Sequence, residues 1–132
     1  HAGSRLGVLL EINCETDFVG KTDGFSELAH NISMQIAATN PLALNIESLD
    51  ESIVSREKSI FKEQAESQGK PENIIEKMIE GRMQKFFQES CLLEQTYIKD
   101  PDKKVKDLIT ESIATLGENI SINRFIRFAI GE

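Results

Sequence analysis

The sequence predicts an α+β fold in which a small, mainly antiparallel sheet of three strands carries about four helices on one face. Two kinds of hydrophobic periodicity support this class. Apolar residues alternate over 6–12 and again over 120–130, as in strands that bury a face. Between these segments, apolar residues recur every three or four positions, which is typical of amphipathic helices. The length of 132 residues corresponds to a single domain, 1–132.

The first strand and the first helix are separated by a short turn. Leu6 to Ile12 is rich in residues that suit a half-buried strand. One helical face is then formed by Phe25, Leu28, Ala29, Ile32 and Ile36. The Asn40-Pro41 step ends this helix, because the residue before a proline is driven out of the helical region.

Two further helices are predicted from their end signals. Asp50 is a suitable N-cap for the second helix, which ends before Gly69. Pro71 suits the first turn of the third helix, where its missing N–H donor has no effect. Gly81 inside that helix costs about 1 kcal/mol relative to alanine, so we expect it to mark a close approach of another backbone.

The C-terminal third is predicted to run strand, turn, helix, strand. A strand over 92–99 is followed by an Asp-Pro-Asp turn at 100–102. A fourth helix over 105–116 ends at Gly117, and its apolar face is formed by Val105, Leu108, Ile109, Ile113 and Leu116. The last strand then covers 120–130.

The last strand carries bulky side chains on both faces. Strict alternation puts Phe125 and Arg127 on the face opposite Ile122, Ile126 and Phe128. Because the helices of one chain can cover only one face of the sheet, we expect Phe125 and Arg127 on an uncovered face. A second copy of the chain is the natural cover, so the sequence predicts a noncovalent homodimer that buries these two residues.

Composition excludes several classes of partner. The net charge of −7 argues against direct nucleic-acid binding, which depends on clustered lysine and arginine. No apolar run approaches the roughly 18 residues of a membrane span, so no membrane contact is predicted. Cys14 and Cys91 lack the spacing of a metal site, and the only histidines are His1 and His30. We therefore predict no metal and no cofactor.

No pattern singles out a catalytic residue. Gly20-Lys21-Thr22 matches the end of a phosphate-binding loop, but position 15 is glutamate where that motif requires glycine. Acidic and basic residues interleave along the predicted helices, which is typical of solvated helix faces. The sequence therefore predicts a protein that is not an enzyme.

The most informative segment lies where the first strand ends and a helix begins. Thr16, Asp17, Phe18 and Val19, here called the corner, combine an acidic and an aromatic residue at this boundary. Phe18 could pack the start of the helix against the core, with Thr16 or Asp17 as the cap. It could instead contact another protein, because binding residues concentrate at loops and element boundaries.

Several motifs in the same order closely resemble the translation elongation factor Ts family. They are Cys14 to Val19, Gly69-Lys70-Pro71-Glu72-Asn73-Ile74, Glu76-Lys77-Met78, Glu80-Gly81-Arg82-Met83, Leu92-Leu93-Glu94-Gln95, Gly117-Glu118-Asn119-Ile120, Arg124-Phe125 and Arg127-Phe128. The resemblance runs from about Arg5 to the end of the chain. It implies the core or dimerisation domain of a short, single-copy form, without the helical module that the family usually carries upstream.

This resemblance implies a guanine nucleotide exchange factor that promotes GDP release from elongation factor Tu, a GTPase that delivers aminoacyl-tRNA. The corner would insert between helices of the GTPase domain, with Phe18 in an apolar crevice and Asp17 fixing the approach by hydrogen bonding. A second contact would involve Leu6 and the Met34-Gln35-Ile36 segment. Many relatives carry histidine where Gln35 stands. The alternative is a passive interaction or ribosome-associated module without exchange activity.

The resemblance also implies a compartment with bacterial-type translation. This is the bacterial cytoplasm, or the interior of a plastid or mitochondrion. Since the chain opens at His1 without a methionine, we expect a fragment or a processed product.

Overall fold

A computed structural model describes residues 5–131, and His1, considered above as a metal ligand, lies outside them. The described elements are β1 (Leu6–Asn13), α1 (Asp17–Gly20), α2 (Asp23–Thr39), α3 (Glu51–Ser67), α4 (Glu72–Ser90), β2 (Thr96–Tyr97), β3 (Asp100–Lys104), α5 (Val105–Leu116) and β4 (Ser121–Ala129). Single 3₁₀ turns lie at Ile46–Ser48 and Leu92–Glu94. The α+β class is confirmed.

The strands form two separate antiparallel pairs, so the prediction of one three-stranded sheet is wrong. β1 pairs with β4, and β2 pairs with β3. The segment 92–99 begins as a 3₁₀ turn, and the predicted turn at 100–102 lies within β3. Because Tyr97 pairs with Asp100, only two residues connect β2 to β3. These short strands therefore bond to each other as a hairpin and leave β1 with one partner.

A bulge in β4 reverses the faces expected for its second half. Glu11 pairs with Arg124 and Ile12 pairs with Ile122, so Asn123 has no opposite residue in β1. An extra residue shifts the alternation of all later side chains by one. Phe125 consequently packs against the main core beside the helices.

The prediction that Phe125 and Arg127 lie on the uncovered face is therefore wrong. Arg127 points to the helix layer, where its Nε donates to the backbone oxygen of Ala37 at 3.2 Å. The opposite face of the β1–β4 ribbon, here called the outer face, is formed by Gly7, Leu9, Glu11, Arg124, Ile126 and Phe128. Leu9 and Phe128 are 68% and 60% exposed there.

The main core lies between the β1–β4 ribbon and helices α2 and α5. Its buried residues are Val19, Phe25, Leu28, Ile32, Ile36, Leu92, Val105, Ile109, Ile120 and Ile122. The predicted apolar faces of both helices point into it. α2 ends at Asn40, which adopts a left-handed conformation (φ 46°), and α5 ends at Gly117 (φ 77°). Both ends agree with the sequence signals.

Helices α3 and α4 pack against each other as a hairpin, and a second small core of Ala43, Leu49 and Cys91 lies in the segments that flank them. Asp50 caps α3, and Gly69 with φ 69° follows its end, as predicted. Pro71 is the residue immediately before α4. A Cβ built at Gly81 meets no atom within 4 Å, so the expected close backbone approach at this glycine is absent.

Candidate partner-binding site

The corner is a single helical turn held by two threonine caps. Thr16 precedes α1, and its Oγ1 accepts a hydrogen bond from the backbone N–H of Val19 at 3.3 Å. Thr22 caps α2 by accepting from the N–H of Phe25 at 3.3 Å. The Thr22 hydroxyl also donates to the backbone oxygen of Val19 at 2.6 Å. Thr16 and Thr22 thus fix α1 at both ends.

Phe18 and Val19 have opposite environments within this turn. Phe18 is 85% exposed, whereas Val19 is 7% exposed and belongs to the main core. The interpretation of Phe18 as a core staple is therefore wrong. Val19, which the sequence predicts to be part of the inserted corner, is buried and anchors the corner to the fold. Asp17 is exposed at the first position of α1, where the negative charge of a carboxylate interacts favourably with the positive end of the helix dipole.

Glu118 holds the corner through hydrogen bonds, a role that sequence reasoning missed. Its Oε1 accepts from the backbone N–H groups of Glu15 and Thr16 at 3.1 and 3.0 Å. Its Oε2 accepts from the Thr16 hydroxyl at 2.6 Å. The only signal was the Gly-Glu pair after α5, which indicates a helix end but not the direction of the side chain.

Gln35 lies inside the protein and not at its surface. It is 0% exposed, and its Nε2 donates to Gln95 Oε1 at 3.0 Å and to the Thr96 backbone oxygen at 3.1 Å. Its Oε1 accepts from the N–H of Ile98 at 3.0 Å. A direct contact with a partner would require this side chain to be exposed, so the prediction of Gln35 as a contacting residue is wrong.

The neighbourhood of Gln35 still offers a surface. Met34, adjacent in α2, is 42% exposed, and Ile98, which bonds to Gln35, is 48% exposed. Leu6 is partly buried at the start of β1. Gln35 therefore ties α2 to the β2–β3 hairpin, and an exposed apolar side chain lies next to it in sequence (Met34) and at its hydrogen-bond partner (Ile98).

The fold shifts the pKa values of Glu11, on the ribbon, and of Cys91, in the second core. The hydrogen bond from Arg124 is the main cause that holds the pKa of Glu11 below its ordinary value of 4.5, and the amide of Asn123 adds to it. Burial raises the pKa of the Cys91 thiol to about 11, so this thiol stays protonated at neutral pH. Cys14 is half-buried, and its thiol donates to the backbone oxygen of Thr16 at 3.2 Å.

Residues 5–131 contain neither a metal-binding cluster nor a membrane-spanning helix. Within 5–131, no group of three histidine, cysteine or acidic side chains is arranged to hold a metal ion. Over the same residues, no helix is long and apolar enough to cross a membrane. The feature that the corner offers is an exposed aromatic ring beside a carboxylate on a fixed turn, and aromatic residues are enriched among the residues that dominate protein interfaces.

Comparison with known proteins gives one family. The family model described as "Elongation factor TS" matches residues 1–132. Elongation factor Ts of Syntrophomonas wolfei subsp. wolfei is 59% identical over 132 residues, covering 100% of this chain and 62% of the relative. Elongation factor Ts of Carboxydothermus hydrogenoformans is 56% identical, covering 100% of this chain and 61% of the relative. That of Syntrophobacter fumaroxidans is 53% identical, covering 99% of this chain and 66% of the relative. The chain thus spans less than two thirds of the length of these relatives.

Proposed function

The chain belongs to the elongation factor Ts family, and from this premise we propose that it is a guanine nucleotide exchange factor that promotes GDP release from elongation factor Tu. Elongation factor Tu is the GTPase that delivers aminoacyl-tRNA to the ribosome. In this proposal the chain is a binding protein and not an enzyme. It works where bacterial-type translation takes place, in the bacterial cytoplasm or in an organelle of bacterial origin.

The observation that carries this proposal is the exposure of Phe18 on a fixed turn. Phe18 is 85% exposed, while the caps Thr16 and Thr22 and the buried Val19 hold the backbone beneath it. A backbone that is fixed before binding reduces the conformational entropy that is lost when Phe18 enters a pocket. Aromatic anchors of this kind dominate the binding energy of many interfaces. These facts support insertion of Phe18 into an apolar crevice between helices of the GTPase domain.

Exchange then follows from thermodynamic linkage. If the corner binds more tightly to the GTPase without nucleotide, it weakens the binding of GDP. GDP weakens the binding of the factor by the same free energy. Displaced helices would disturb the contacts of the partner with Mg²⁺ and phosphate, so GDP leaves faster. No group of this chain has to touch the nucleotide. Asp17, which is exposed beside Phe18, would fix the approach by accepting hydrogen bonds from the partner.

The second contact is proposed to use the surface above Gln35. Leu6 and the exposed Met34 remain part of it, and the exposed Ile98 takes the place of the buried Gln35 and Ile36 as a contacting side chain. In this role Gln35 supports the surface from below through its bonds to Gln95 and to the β2–β3 hairpin.

We retain the proposal of a symmetric homodimer, with a corrected interface. The outer face of the β1–β4 ribbon presents Leu9, Ile126 and Phe128, all more than a third exposed. An exposed apolar sheet face is a suitable surface for a two-fold contact between identical chains. Such a dimer would present two corners, one for each partner GTPase.

Release of labelled GDP from elongation factor Tu, with and without the chain, tests the proposed function. Stimulated release in proportion to the added chain is the expected result. The alternative, a passive interaction or ribosome-associated module, predicts binding to elongation factor Tu or ribosomes with an unchanged rate of GDP release. Turnover of a small substrate by the chain alone would contradict both.

A further inference from the structure

We infer that Glu118 is a positioning residue for exchange, which orients the corner through Thr16 without touching the partner. This inference rests on the proposed function. The carboxylate of Glu118 accepts three hydrogen bonds, from Glu15 N at 3.1 Å, Thr16 N at 3.0 Å and Thr16 Oγ1 at 2.6 Å. All three donors lie in the two residues that lead into α1.

The hydroxyl of Thr16 relays this interaction into the helical turn. A hydroxyl has one proton, and here it is donated to Glu118. The lone pairs of the same oxygen then remain available for the N–H of Val19, which donates to it at 3.3 Å. Glu118 therefore fixes the rotamer of Thr16 in which the cap of α1 forms. Asp17 and Phe18 lie between the two bonded residues Thr16 and Val19, so their orientation depends on this cap.

The relay joins two distant parts of the chain at one end of the ribbon. The last residue of β1, Asn13, pairs with the first residue of β4, Ser121. Thr16 lies just after Asn13 in the chain, and Glu118 lies just before Ser121. The left-handed Gly117 ends α5 and turns the chain immediately before Glu118. The bond between Thr16 and Glu118 spans 102 positions. The corner is therefore held by a segment that is distant in sequence and not only by its own turn.

A positioning role predicts a specific kinetic pattern in a GDP-release assay. Without the carboxylate the corner samples more orientations, and only the fraction in the competent orientation binds well. Glu118→Ala should therefore raise the concentration for half-maximal stimulation about tenfold, while the maximal stimulated rate stays unchanged. Glu118→Gln keeps an oxygen for the two backbone N–H groups but cannot accept the Thr16 proton, so its effect should be smaller.

Two further variants separate positioning from general destabilisation. Thr16→Val removes the hydroxyl but keeps the shape, and adding Glu118→Gln to it should cause little further change, because both break the same relay. Glu111→Gln is the matched control, since Glu111 is another carboxylate in the same part of the chain and pairs with Lys103 at 2.7 Å. It should leave both kinetic parameters unchanged.

The inference is overturned if Glu118→Ala behaves as wild type, or if activity falls only in proportion to the folded fraction measured by circular dichroism. Amide hydrogen exchange of the free protein, followed by NMR, gives an independent result. Faster exchange at Thr16 and Val19 in Glu118→Ala supports the inference, and unchanged exchange at both overturns it. If the wild-type chain does not stimulate GDP release, the proposed function fails, and the amide measurement alone decides the role of Glu118.

Discussion

Phe18 and Val19 are adjacent in the chain, yet Phe18 is 85% exposed and Val19 is 7% exposed. Successive residues of a helix point about 100° apart, so one turn can direct one side chain into the core and the next into solvent. The burial of Val19 fixes the backbone below the exposed ring. The corner therefore combines an anchor for the fold, Val19, with the proposed anchor for a partner, Phe18.

The two neighbours should respond differently to truncation. Val19→Ala should lower the free energy of unfolding by about 1–3 kcal/mol, because it removes buried methyl groups and leaves a cavity. Phe18→Ala should change it by less than about 0.5 kcal/mol, as is usual for an exposed side chain. Urea denaturation followed by circular dichroism measures both. A larger loss for Phe18→Ala than for Val19→Ala would mean that the ring packs on the fold in solution.

The buried Gln35 should be important for stability. Gln35→Leu should lower the free energy of unfolding by about 1–3 kcal/mol, because the N–H of Ile98 and the backbone oxygen of Thr96 lose the Gln35 amide and Gln95 Oε1 keeps only the hydroxyl of Thr39. Gln84→Leu makes the same change at an exposed position of α4 and serves as the control. Equal stability of the two variants in thermal denaturation would show that the Gln35 network contributes nothing.

The Glu11–Arg124 pair should give a pH-dependent contribution to stability. The pKa of Glu11 is lowered in the folded chain from its ordinary value of 4.5, mainly by the hydrogen bond from Arg124. A lowered folded pKa means that this contribution is present above about pH 4.5 and is lost as the pH falls through the folded value. Arg124→Met should raise the pKa of Glu11 in an NMR titration. The pKa should stay below its ordinary value, because the amide of Asn123 still donates to the Glu11 carboxylate.

Lys62→Met is the control for this titration, because Lys62 pairs with Glu66 at 3.9 Å on the exposed surface of α3. It should leave the pKa of Glu11 unchanged. A Glu11 pKa that is the same in wild type and Arg124→Met would contradict the assigned cause.

The outer face should mediate self-association. Sedimentation equilibrium at micromolar concentration should give about twice the chain mass of 14.8 kDa. Phe128→Asp should shift the chain to the monomer, because a carboxylate on the outer face would be buried without a partner. Leu42→Asp changes another exposed apolar residue, away from the ribbon, and should leave the dimer intact. A wild-type monomer, or dissociation by Leu42→Asp alone, would contradict the proposed interface.

Local signals in the sequence predicted the helices well. Asp50, Asn40 and Gly117 end or begin helices where the sequence indicates, because caps depend on a few neighbouring residues. The apolar faces of α2 and α5 likewise follow from periodicity alone.

The strand pairing and the sheet faces could not be predicted in the same way. The bulge at Asn123 depends on the pairing partner, and a shift by one residue reverses the faces of Phe125 and Ile126. The partners of Glu118 and Gln35 lie far away in sequence, so no local pattern contains them. Phe18 was found from its position at an element boundary, but its exposure required the structure.

The most direct test of the account compares wild type, Phe18→Ala and Asp17→Asn in the release of labelled GDP from elongation factor Tu. Loss of the aromatic anchor should cost at least about 2 kcal/mol of binding, which raises the half-saturating concentration about 30-fold. Asp17→Asn should cause a smaller rise, because the amide keeps part of the hydrogen bonding. Stimulation by folded Phe18→Ala at the wild-type concentration would contradict the insertion of Phe18 as the basis of exchange.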